Sequence, residues 1–174
     1  MITTARLLLR RWTPDDFEPF CAMNADAEVM RHFPSTLTGE QTANGLARVE
    51  AHFDRHGWGL FAAEHAGAFI GYIGLFHVSF TARFTPAVEI GWRLASKYWN
   101  QGLASEGARA CLACGWSSLG LQEIVAFTTP GNLASRRVMH KIGMRRDEGG
   151  DFEHPRVMPG HALRRHVLYR ATAP

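Results

Sequence analysis

The segment YWNQGLASEGARACL, residues 98–112, restricts the fold of this chain more than any other part of its sequence. Two bulky aromatic residues are followed by two polar residues, then by Gly102, and then by small residues at helical spacing. Small residues at the start of a helix leave its first backbone N–H groups accessible, and these groups carry roughly half a positive charge. The segment therefore predicts a site where an anionic group such as a phosphate approaches the backbone.

This turn differs from the two most common phosphate-binding motifs. No Gly-Lys-Ser or Gly-Lys-Thr follows the glycine, as a P-loop requires, and the G-x-G-x-x-G pattern of a dinucleotide-binding turn is missing. A purely structural alternative stays open, in which Gly102 forms a tight strand-to-helix turn packed beneath Trp99.

The residues that flank the segment predict a strand before it and a helix after it. Residues 86–95, PAVEIGWRLA, alternate with period two, which places Glu89, Gly91 and Arg93 on one face of a strand. From Ala104 onward the apolar period becomes helical. The apolar face of this helix is formed by Ala104, Ala108, Cys111, Leu112, Gly115 and Leu119.

The rest of the sequence continues this succession of strands and helices. The predicted strands are 6–12, the two arms of 58–80 that divide at His65-Ala66-Gly67, 86–95, 123–130, a strand after Met144 and 163–170. The predicted helices are one that begins at Thr13, then 24–33, 38–56, a helix from Ala104 and 132–144. This order predicts a single α/β domain over residues 1–174, in which an antiparallel meander leads into a parallel β-α-β core.

Composition is typical of a globular cytoplasmic protein. The chain has 174 residues, of which 46% are hydrophobic and 20% are charged, and no apolar run approaches the roughly 20 residues of a membrane span. Its three cysteines argue against a disulfide framework and for a reducing compartment. A net charge of +3 is too small to predict a nucleic-acid partner. We therefore expect neither a membrane nor a nucleic acid as a partner.

The sequence does not predict a metal centre. It has no HExxH motif and no compact histidine or cysteine cluster, since His154, His161 and His166 are spread over a loop and a strand. The C-x-x-C sequence from Cys111 to Cys114 lies well inside a predicted helix, whereas redox pairs work at a helix N-terminus. We expect these cysteines to be buried core residues.

Four segments together resemble the GNAT superfamily of acyl-coenzyme A N-acyltransferases, in the RimJ/RimL-like branch related to ribosomal-protein N-acetyltransferases. They are RLLLRRWTPDDF at 6–17, EIGWRLASKYWNQGLASEG at 89–107, NLASRRVMHKIGM at 132–144 and HALRRHVLYR at 161–170. The resemblance covers nearly the whole chain, in the order and spacing of the family. It implies a single-domain GNAT fold, a mixed and mostly antiparallel sheet with a splayed parallel pair of central strands and flanking helices.

The resemblance also implies that acetyl-coenzyme A is the co-substrate, bound between the strands 86–95 and 123–130. Backbone amides of residues 100–105 would hold the pyrophosphate. The implied coenzyme-binding residues are Trp92, Arg93, Leu94, Asn100, Gln101, Gly102, Leu103, Ala104, Ser105, Asn132 and Arg137, with Arg136 as a second candidate for the adenosine phosphate. Trp99 stands where most of the superfamily has Gln or Arg, and an aromatic residue there is common in the RimJ/RimL branch.

Acetyl transfer to an amine requires a base, because a lysine-like amine has a pKa of about 10.4 and is mostly protonated at neutral pH. Glu89 is the first candidate, since its strand would carry the acyl group and it shares a face with Gly91. A structural or substrate-positioning carboxylate is the alternative role for this residue. Weaker candidates for the base are Glu153, His154, His77 and Asp151.

The departing thiolate requires a proton, and Ser135 is the candidate donor. Many members of the superfamily use a tyrosine seven residues after the position of Asn132, but this chain has Met139 there. The RimJ/RimL-like branch is thought to use a serine at the position of Ser135, whose alternative role is a bond to the helix backbone. Asn132 is also a typical N-cap residue.

The acceptor is expected to enter between residues 24–56 and the loop at 151–161. Arg31, His32 and Phe33 are the expected contacts, and Arg31 suggests an acidic group on the acceptor. We expect the partner to be a small-molecule or peptide amine, and homodimerisation stays open. The alternative function is a non-catalytic acyl-coenzyme A binding or sensor module, which would need neither a base nor an acid.

Overall fold

A single mixed sheet forms the centre of the molecule in the computed structural model, which describes all 174 residues. The strands are β1 Ile2–Thr3, β2 Leu7–Arg10, β3 Leu60–His65, β4 Ala68–His77, β5 Val88–Leu94, β6 Glu123–Thr128, β7 Arg145–Glu153 and β8 Arg165–Thr172. The helices are α1 Phe17–Ala25, α2 Ala27–Met30, α3 Gly39–His56, α4 Leu103–Ser117 and α5 Leu133–Lys141. The strand order is β1-β2-β3-β4-β5-β6-β8-β7, and only β5 and β6 are parallel. The predicted order of elements and the mixed α/β sheet are confirmed.

Two elements differ from the sequence prediction. Strand β1 is an additional two-residue strand that pairs with β2. The helix predicted over 24–33 is a single turn, Ala27–Met30, because Asp26 takes an extended backbone conformation that separates it from α1. The Asp26 carboxylate then accepts a hydrogen bond from the Glu28 N–H at 2.8 Å, which starts the short helix afresh.

The sheet opens between β5 and β6, as the resemblance to the GNAT superfamily predicts. Strand β5 is paired with β4 along its whole length, from Val88 to Leu94. In contrast, β5 and β6 are paired at one position only, where Glu89 lies opposite Val125. Beyond that position the two strands diverge, which leaves one edge of β5 without a neighbouring strand.

Helix α4 packs very closely on the sheet because its inner face carries glycines. A Cβ atom on Gly107 would lie 2.5 Å from Cδ1 of Ile73, and one on Gly115 would lie 2.7 Å from Cδ1 of Ile124. Both separations are shorter than van der Waals contact allows. Cys111 is buried in the same face, and burial raises the pKa of its thiol to about 12. The C-x-x-C sequence lies inside the helix as predicted, but only Cys111 is a buried core residue, and Cys114 is half-buried.

Helix α3 begins and ends at the residues that capping rules predict. The Thr38 hydroxyl accepts a hydrogen bond from the Gln41 N–H at 3.2 Å, and the Gln41 side-chain oxygen accepts one from the Thr38 N–H at 2.9 Å. Gly57 ends the helix in the left-handed conformation, with φ of 77°. Neither α3 nor any other helix combines the length and apolarity needed to cross a membrane.

Candidate functional site

A cleft of about 790 Å³ lies where β5 and β6 diverge. Its walls come from β5, the loop before α4, the start of α5, the turn after α2 and the segment 154–166. Most of the predicted site residues line it, and the exceptions are Gln101, the second phosphate candidate Arg136 and three of the weaker candidate bases, His77, Asp151 and Glu153. Those that line it are Arg31, His32, Phe33, Glu89, Trp92, Arg93, Leu94, Asn100, Gly102, Leu103, Ala104, Ser105, Asn132, Ser135, Arg137 and His154.

The loop before α4 has a row of free backbone donors. None of the N–H groups of residues 100–105 donates a hydrogen bond within the protein, and the N-cap residue Gly102 has no side-chain acceptor. Asn100 and Gly102 take left-handed backbone angles, with φ of 60° and 79°. Asparagine and glycine tolerate this conformation better than other residues. The helix N-terminus that results is suited to an anion.

Arg6 holds this loop in position, although it lies 95 residues before Gln101 in the sequence. Its guanidinium donates to the Gln101 carbonyl at 2.9 Å and is paired with Glu106 of α4 at 2.7 Å. Glu106 also accepts a bond from the Thr4 hydroxyl at 2.6 Å. Although partial burial alone would raise it, these donors lower the pKa of Glu106 below its ordinary value. Gln101 is thus part of the support of the loop and not of the cleft wall.

Trp99 shows that the two interpretations of the turn are compatible. Its indole N–H donates to the Leu94 carbonyl at 2.7 Å, which ties the turn to the end of β5 as the structural alternative supposes. The same turn leaves the amides that follow it free. A well-anchored turn and an anion site are therefore two properties of one loop.

Glu89 lies in the cleft at the one point where β5 and β6 are paired. Desolvation raises the pKa of its carboxyl group to about 7, although the positive charge of Arg156 acts in the opposite direction. No donor of the protein bonds to the carboxylate to stabilise its charged form. A carboxyl group with a neutral pKa can take up and release a proton at pH 7, which is what a general base requires.

His154 is the only one of the other candidate bases that lines the cleft. Its ring lies 4.9 Å from the ring of His166. Burial, followed by the charges of His166 and Arg156, lowers the pKa of His154 to about 4. Its imidazole is therefore neutral at pH 7 and a weaker proton acceptor than Glu89.

Asp151 and Glu153 are engaged in ion pairs outside this cleft. Asp151 accepts two hydrogen bonds of 2.8 Å from Arg146 and lies 3.2 Å from Arg165. Glu153 lies 2.9 Å from Nε of Arg164. Although burial alone would raise it, the two arginines hold the pKa of Asp151 below its ordinary value. Both carboxylates therefore have structural partners.

Asn132 caps α5 as predicted and brings Ser135 to the cleft. The Asn132 side-chain oxygen accepts a hydrogen bond from the Ser135 N–H at 3.2 Å, and its amide group donates to the Thr128 hydroxyl at 2.9 Å. The Ser135 hydroxyl makes no hydrogen bond within the protein, so the alternative bond to the helix backbone is not formed. This hydroxyl is free to donate to a ligand.

The two arginines of α5 have different environments. Arg137 lines the cleft together with Lys141, a cation that the sequence analysis missed. Arg136 instead donates to the Tyr169 hydroxyl at 3.1 Å and to the Pro130 carbonyl at 2.9 Å. Of the two candidates for a phosphate contact, only Arg137 is therefore available.

Two stacked guanidinium groups attach the turn after α2 to β5 and to the loop before α4. The Arg31 guanidinium lies 4.9 Å from the Trp99 ring, and that of Arg93 lies 4.2 Å from the Phe33 ring. Arg93 also donates to the Asn24 side-chain oxygen at 2.6 Å, while its Nε is buried without a partner. These contacts bring the predicted acceptor residues to the cleft.

The segment 154–166 adds cleft residues that the sequence analysis did not identify. Arg156, Leu163 and His166 line the cleft beside Phe127 of β6. The Phe127 ring lies 6.2 Å from the His166 ring. The contacts that form this wall join residues far apart in the sequence, so no local pattern predicts them. The only signal in the sequence is an abundance of aromatic residues between 80 and 166.

A histidine cluster lies outside the cleft and corrects one expectation. His52 and His56 of α3 and His77 at the end of β4 have ring nitrogens within 4.8 Å of one another. The sequence analysis expected no compact histidine cluster, because it considered only local spacing and His77 is 25 residues from His52. His77 is thus placed apart from the cleft residues.

Comparisons with known proteins agree with this fold. The acetyltransferase (GNAT) domain family matches residues 6–145 of the chain. The chain is 33% identical over 146 residues to the uncharacterized N-acetyltransferase YnaD of Bacillus subtilis. The alignment covers 84% of this chain and 83% of that protein.

Two solved structures are similar over most of their length. A GNAT-family acetyltransferase from Bacillus anthracis has a TM-score of 0.78 and 30% identity, with 98% of this chain and 97% of that chain covered. RimJ of Mycobacterium smegmatis, solved with coenzyme A as a disulfide, has a TM-score of 0.76 and 22% identity, with 96% and 82% covered. The second comparison shows a common fold.

Proposed function

This chain belongs to the acetyltransferase (GNAT) family, and we propose that it transfers an acetyl group from acetyl-coenzyme A to a primary amine of a small molecule or a peptide. The observation that carries this proposal is the cleft between β5 and β6. It combines the free backbone N–H groups of residues 100–105 with the carboxyl group of Glu89, to which no other group of the protein donates a hydrogen bond. The proposed compartment is the cytoplasm, on the basis of the odd number of cysteines in the sequence.

The cleft residues fit coenzyme A part by part. The N–H groups of residues 100–105 at the start of α4 suit the pyrophosphate. Arg137 and Lys141 supply positive charge for the phosphate on the adenosine. The edge of β5 that the splay exposes, residues 92–94, offers backbone groups to pantetheine.

Glu89 would accept a proton from the acceptor amine, directly or through a water molecule. An amine with a pKa of about 10.4 is a nucleophile only after it loses this proton. The pKa of about 7 makes the Glu89 carboxylate a stronger base than an ordinary glutamate while it is still half ionised at neutral pH. Backbone N–H groups of β5 would donate to the oxyanion that develops as the amine attacks the thioester.

Ser135 would donate a proton to the departing thiolate. Its hydroxyl lines the cleft and has no partner within the protein, so no existing bond needs to be broken first. Asn132 fixes the position of the serine through the bond to its backbone N–H. The resemblance to the RimJ/RimL branch is the reason for assigning the proton donor to this serine.

The acceptor would carry an acidic group close to its amine. Arg31 and Arg156 both line the cleft, and a carboxylate on the acceptor would neutralise them. Amino acids and peptides with acidic N-terminal residues satisfy this requirement.

The test is release of coenzyme A, followed with a thiol-reactive dye over a panel of amino acids, polyamines, aminoglycosides and N-terminal peptides. We expect turnover with at least one amine, and a loss of about 100-fold in kcat for Ser135→Ala, with acetyl-coenzyme A binding by calorimetry unchanged. Ser117→Ala is the matched control, because its hydroxyl bonds only to the helix backbone and a neighbouring serine.

The second candidate function, a non-catalytic acyl-coenzyme A sensor, predicts a different result in the same assay. Tight binding of acetyl-coenzyme A without turnover on any amine would favour the sensor, which needs the loop but neither Glu89 nor Ser135. Absence of coenzyme binding would refute both functions. Turnover that survives in Ser135→Ala would retain the enzyme and remove the serine from the mechanism.

A further inference from the structure

The histidine cluster of His52, His56 and His77 has the composition and spacing of a metal site. His52 and His56 are four residues apart on α3 and therefore lie on one face of the helix. His77 is the last residue of β4 and approaches them from the sheet. One ring nitrogen from each histidine lies within 4.8 Å of the other two.

The hydrogen bond of His52 to the backbone fixes which of its nitrogens can bind an ion. Nδ1 of His52 lies 2.8 Å from the Trp58 carbonyl oxygen. A carbonyl can only accept, so Nδ1 carries the hydrogen and Nε2 carries the lone pair. A second bond of this kind orients most histidine ligands of metal sites.

The Nε2 lone pair of His52 is directed at the second histidine, whose backbone N–H donates a long hydrogen bond of 3.4 Å to it. His52 Nε2 lies 3.0 Å from Nδ1 of His77. Zn–N bonds of about 2.0–2.1 Å in a tetrahedral site separate two ligand nitrogens by about 3.4 Å. An opening of a few tenths of an ångström, together with transfer of the His77 ring proton from Nδ1 to Nε2, would therefore convert this imidazole pair into two ligands of one ion.

The two remaining properties of a metal site are access and an open coordination position. His56 and His77 are exposed, while His52 is buried beneath them. An ion can therefore reach the cluster from solvent, and water can complete its coordination. Three imidazoles without a carboxylate suit Zn²⁺ and Cu²⁺ better than Mg²⁺ or Ca²⁺, which prefer oxygen ligands.

We propose that His52, His56 and His77 bind one Zn²⁺-class transition-metal ion at a site separate from the cleft. The ion would join the last turn of α3 to the end of β4, and so fasten a helix to the sheet. Its role is structural, because none of the three histidines lines the cleft.

The experiment uses the untagged full chain, stripped of metal and titrated with Zn²⁺ by calorimetry. We expect one ion per chain with a micromolar or lower Kd. At an ion concentration about 100 times Kd, the midpoint of thermal unfolding should rise by about 5–10 °C. His56→Gln and His77→Gln should each weaken binding at least tenfold.

The control variant is His161→Gln, which replaces another exposed histidine, on the loop between β7 and β8, and should bind Zn²⁺ as the wild type does. Each variant is first compared with the wild type in the metal-free state, so that a change of fold is recognised by its unfolding midpoint. Wild-type protein that does not bind Zn²⁺, or binding that is unchanged in both cluster variants, would overturn the proposal.

Trp58 supplies a second readout that does not depend on stability. Its ring lies 4.7 Å from that of His52 and 4.9 Å from that of His77. Bound Cu²⁺, which quenches nearby fluorophores, should reduce tryptophan fluorescence saturably in the wild type and much less in Trp58→Phe. Equal quenching in the two proteins would place the ion elsewhere and overturn the proposal.

Discussion

Glu89 and Glu106 lie on the two sides of one strand-turn-helix unit, and their environments are opposite. Glu106 accepts hydrogen bonds from the Thr4 hydroxyl and from the backbone and guanidinium of Arg6. Glu89 accepts none, and it stands in the cleft with its charge desolvated. The pKa is therefore lowered for Glu106 and raised to about 7 for Glu89. Glu106 keeps its charge and supports the loop, whereas Glu89 can change its charge within the physiological range.

Replacing Glu89 by glutamine should have the largest effect. The amide keeps the shape of the side chain but cannot accept the amine proton. We expect Glu89→Gln to lower kcat by about 100- to 1,000-fold while the Kd for acetyl-coenzyme A changes little. Steady-state kinetics and calorimetry on the same preparation measure the two quantities.

The stability of this variant separates lost chemistry from lost folding. The pKa of Glu89 is about 7 in the folded state and 4.5 in its ordinary state. Burial of the carboxyl group therefore lowers the free energy of unfolding progressively as the pH rises from 4.5 to 7, and the loss is complete above pH 7. Glu89→Gln should therefore exceed the wild type in free energy of unfolding by about 1–3 kcal/mol at pH 8 and equal it at pH 4. A less stable variant at pH 8 would contradict the assigned environment.

The pH dependence of the wild-type rate should come next in size. Because the base acts in its deprotonated form, kcat/KM for acetyl-coenzyme A, which reports the pKa of the coenzyme-free protein, should fall below pH 7, by about tenfold between pH 8 and pH 6. Glu89→Gln should show no such fall over this range. A wild-type profile that is flat from pH 8 to pH 6 would remove Glu89 as the base.

Replacing Glu106 should have the smallest effect, and on a different quantity. Glu106→Gln weakens the pairing that holds Arg6 on the Gln101 carbonyl, so the loop of free amides becomes less well ordered. We expect the Kd for acetyl-coenzyme A to rise about three- to tenfold, kcat to change little, and the free energy of unfolding to fall by about 1 kcal/mol.

Glu123→Gln is the matched control for Glu106→Gln, since it removes another carboxylate that is paired with an arginine, Arg170, at the far side of β6. It should leave the Kd for acetyl-coenzyme A unchanged. An equal rise of Kd in both variants would show that general charge, and not support of the loop, controls binding.

Features that depend on neighbours in sequence could be predicted from the sequence. The hairpin between β3 and β4 turns at Ala66 and Gly67, which both have positive φ, at the predicted position. The cap at Asn132 and the free amides after Asn100 also follow from local rules of capping and backbone conformation. The strands could be predicted from an apolar pattern of period two, and the helices from an apolar pattern of helical period.

Features that depend on tertiary pairing could not be predicted. Arg6 and Glu106 are 100 residues apart, and neither shows in the sequence that it supports the loop. Asp151 remained a candidate base because one partner, Arg165, comes from the adjacent strand, and the other, Arg146, reaches it only across the irregular part of β7. His77 joined a cluster with α3 for the same reason. Long-range register decides such contacts, and no local pattern records it.

Helix α4 places two selective constraints on one stretch of chain. Small residues leave the first turn of the helix accessible. Small residues also occur farther along the helix, where Gly107 and Gly115 pack against the sheet. Random substitution there is penalised twice, once through the ligand and once through folding. The segment 154–166 is less tightly packed, because Val157 is its only buried residue and Arg156, Met158 and Pro159 are exposed. One wall of the cleft can therefore change in sequence more readily than the start of α4.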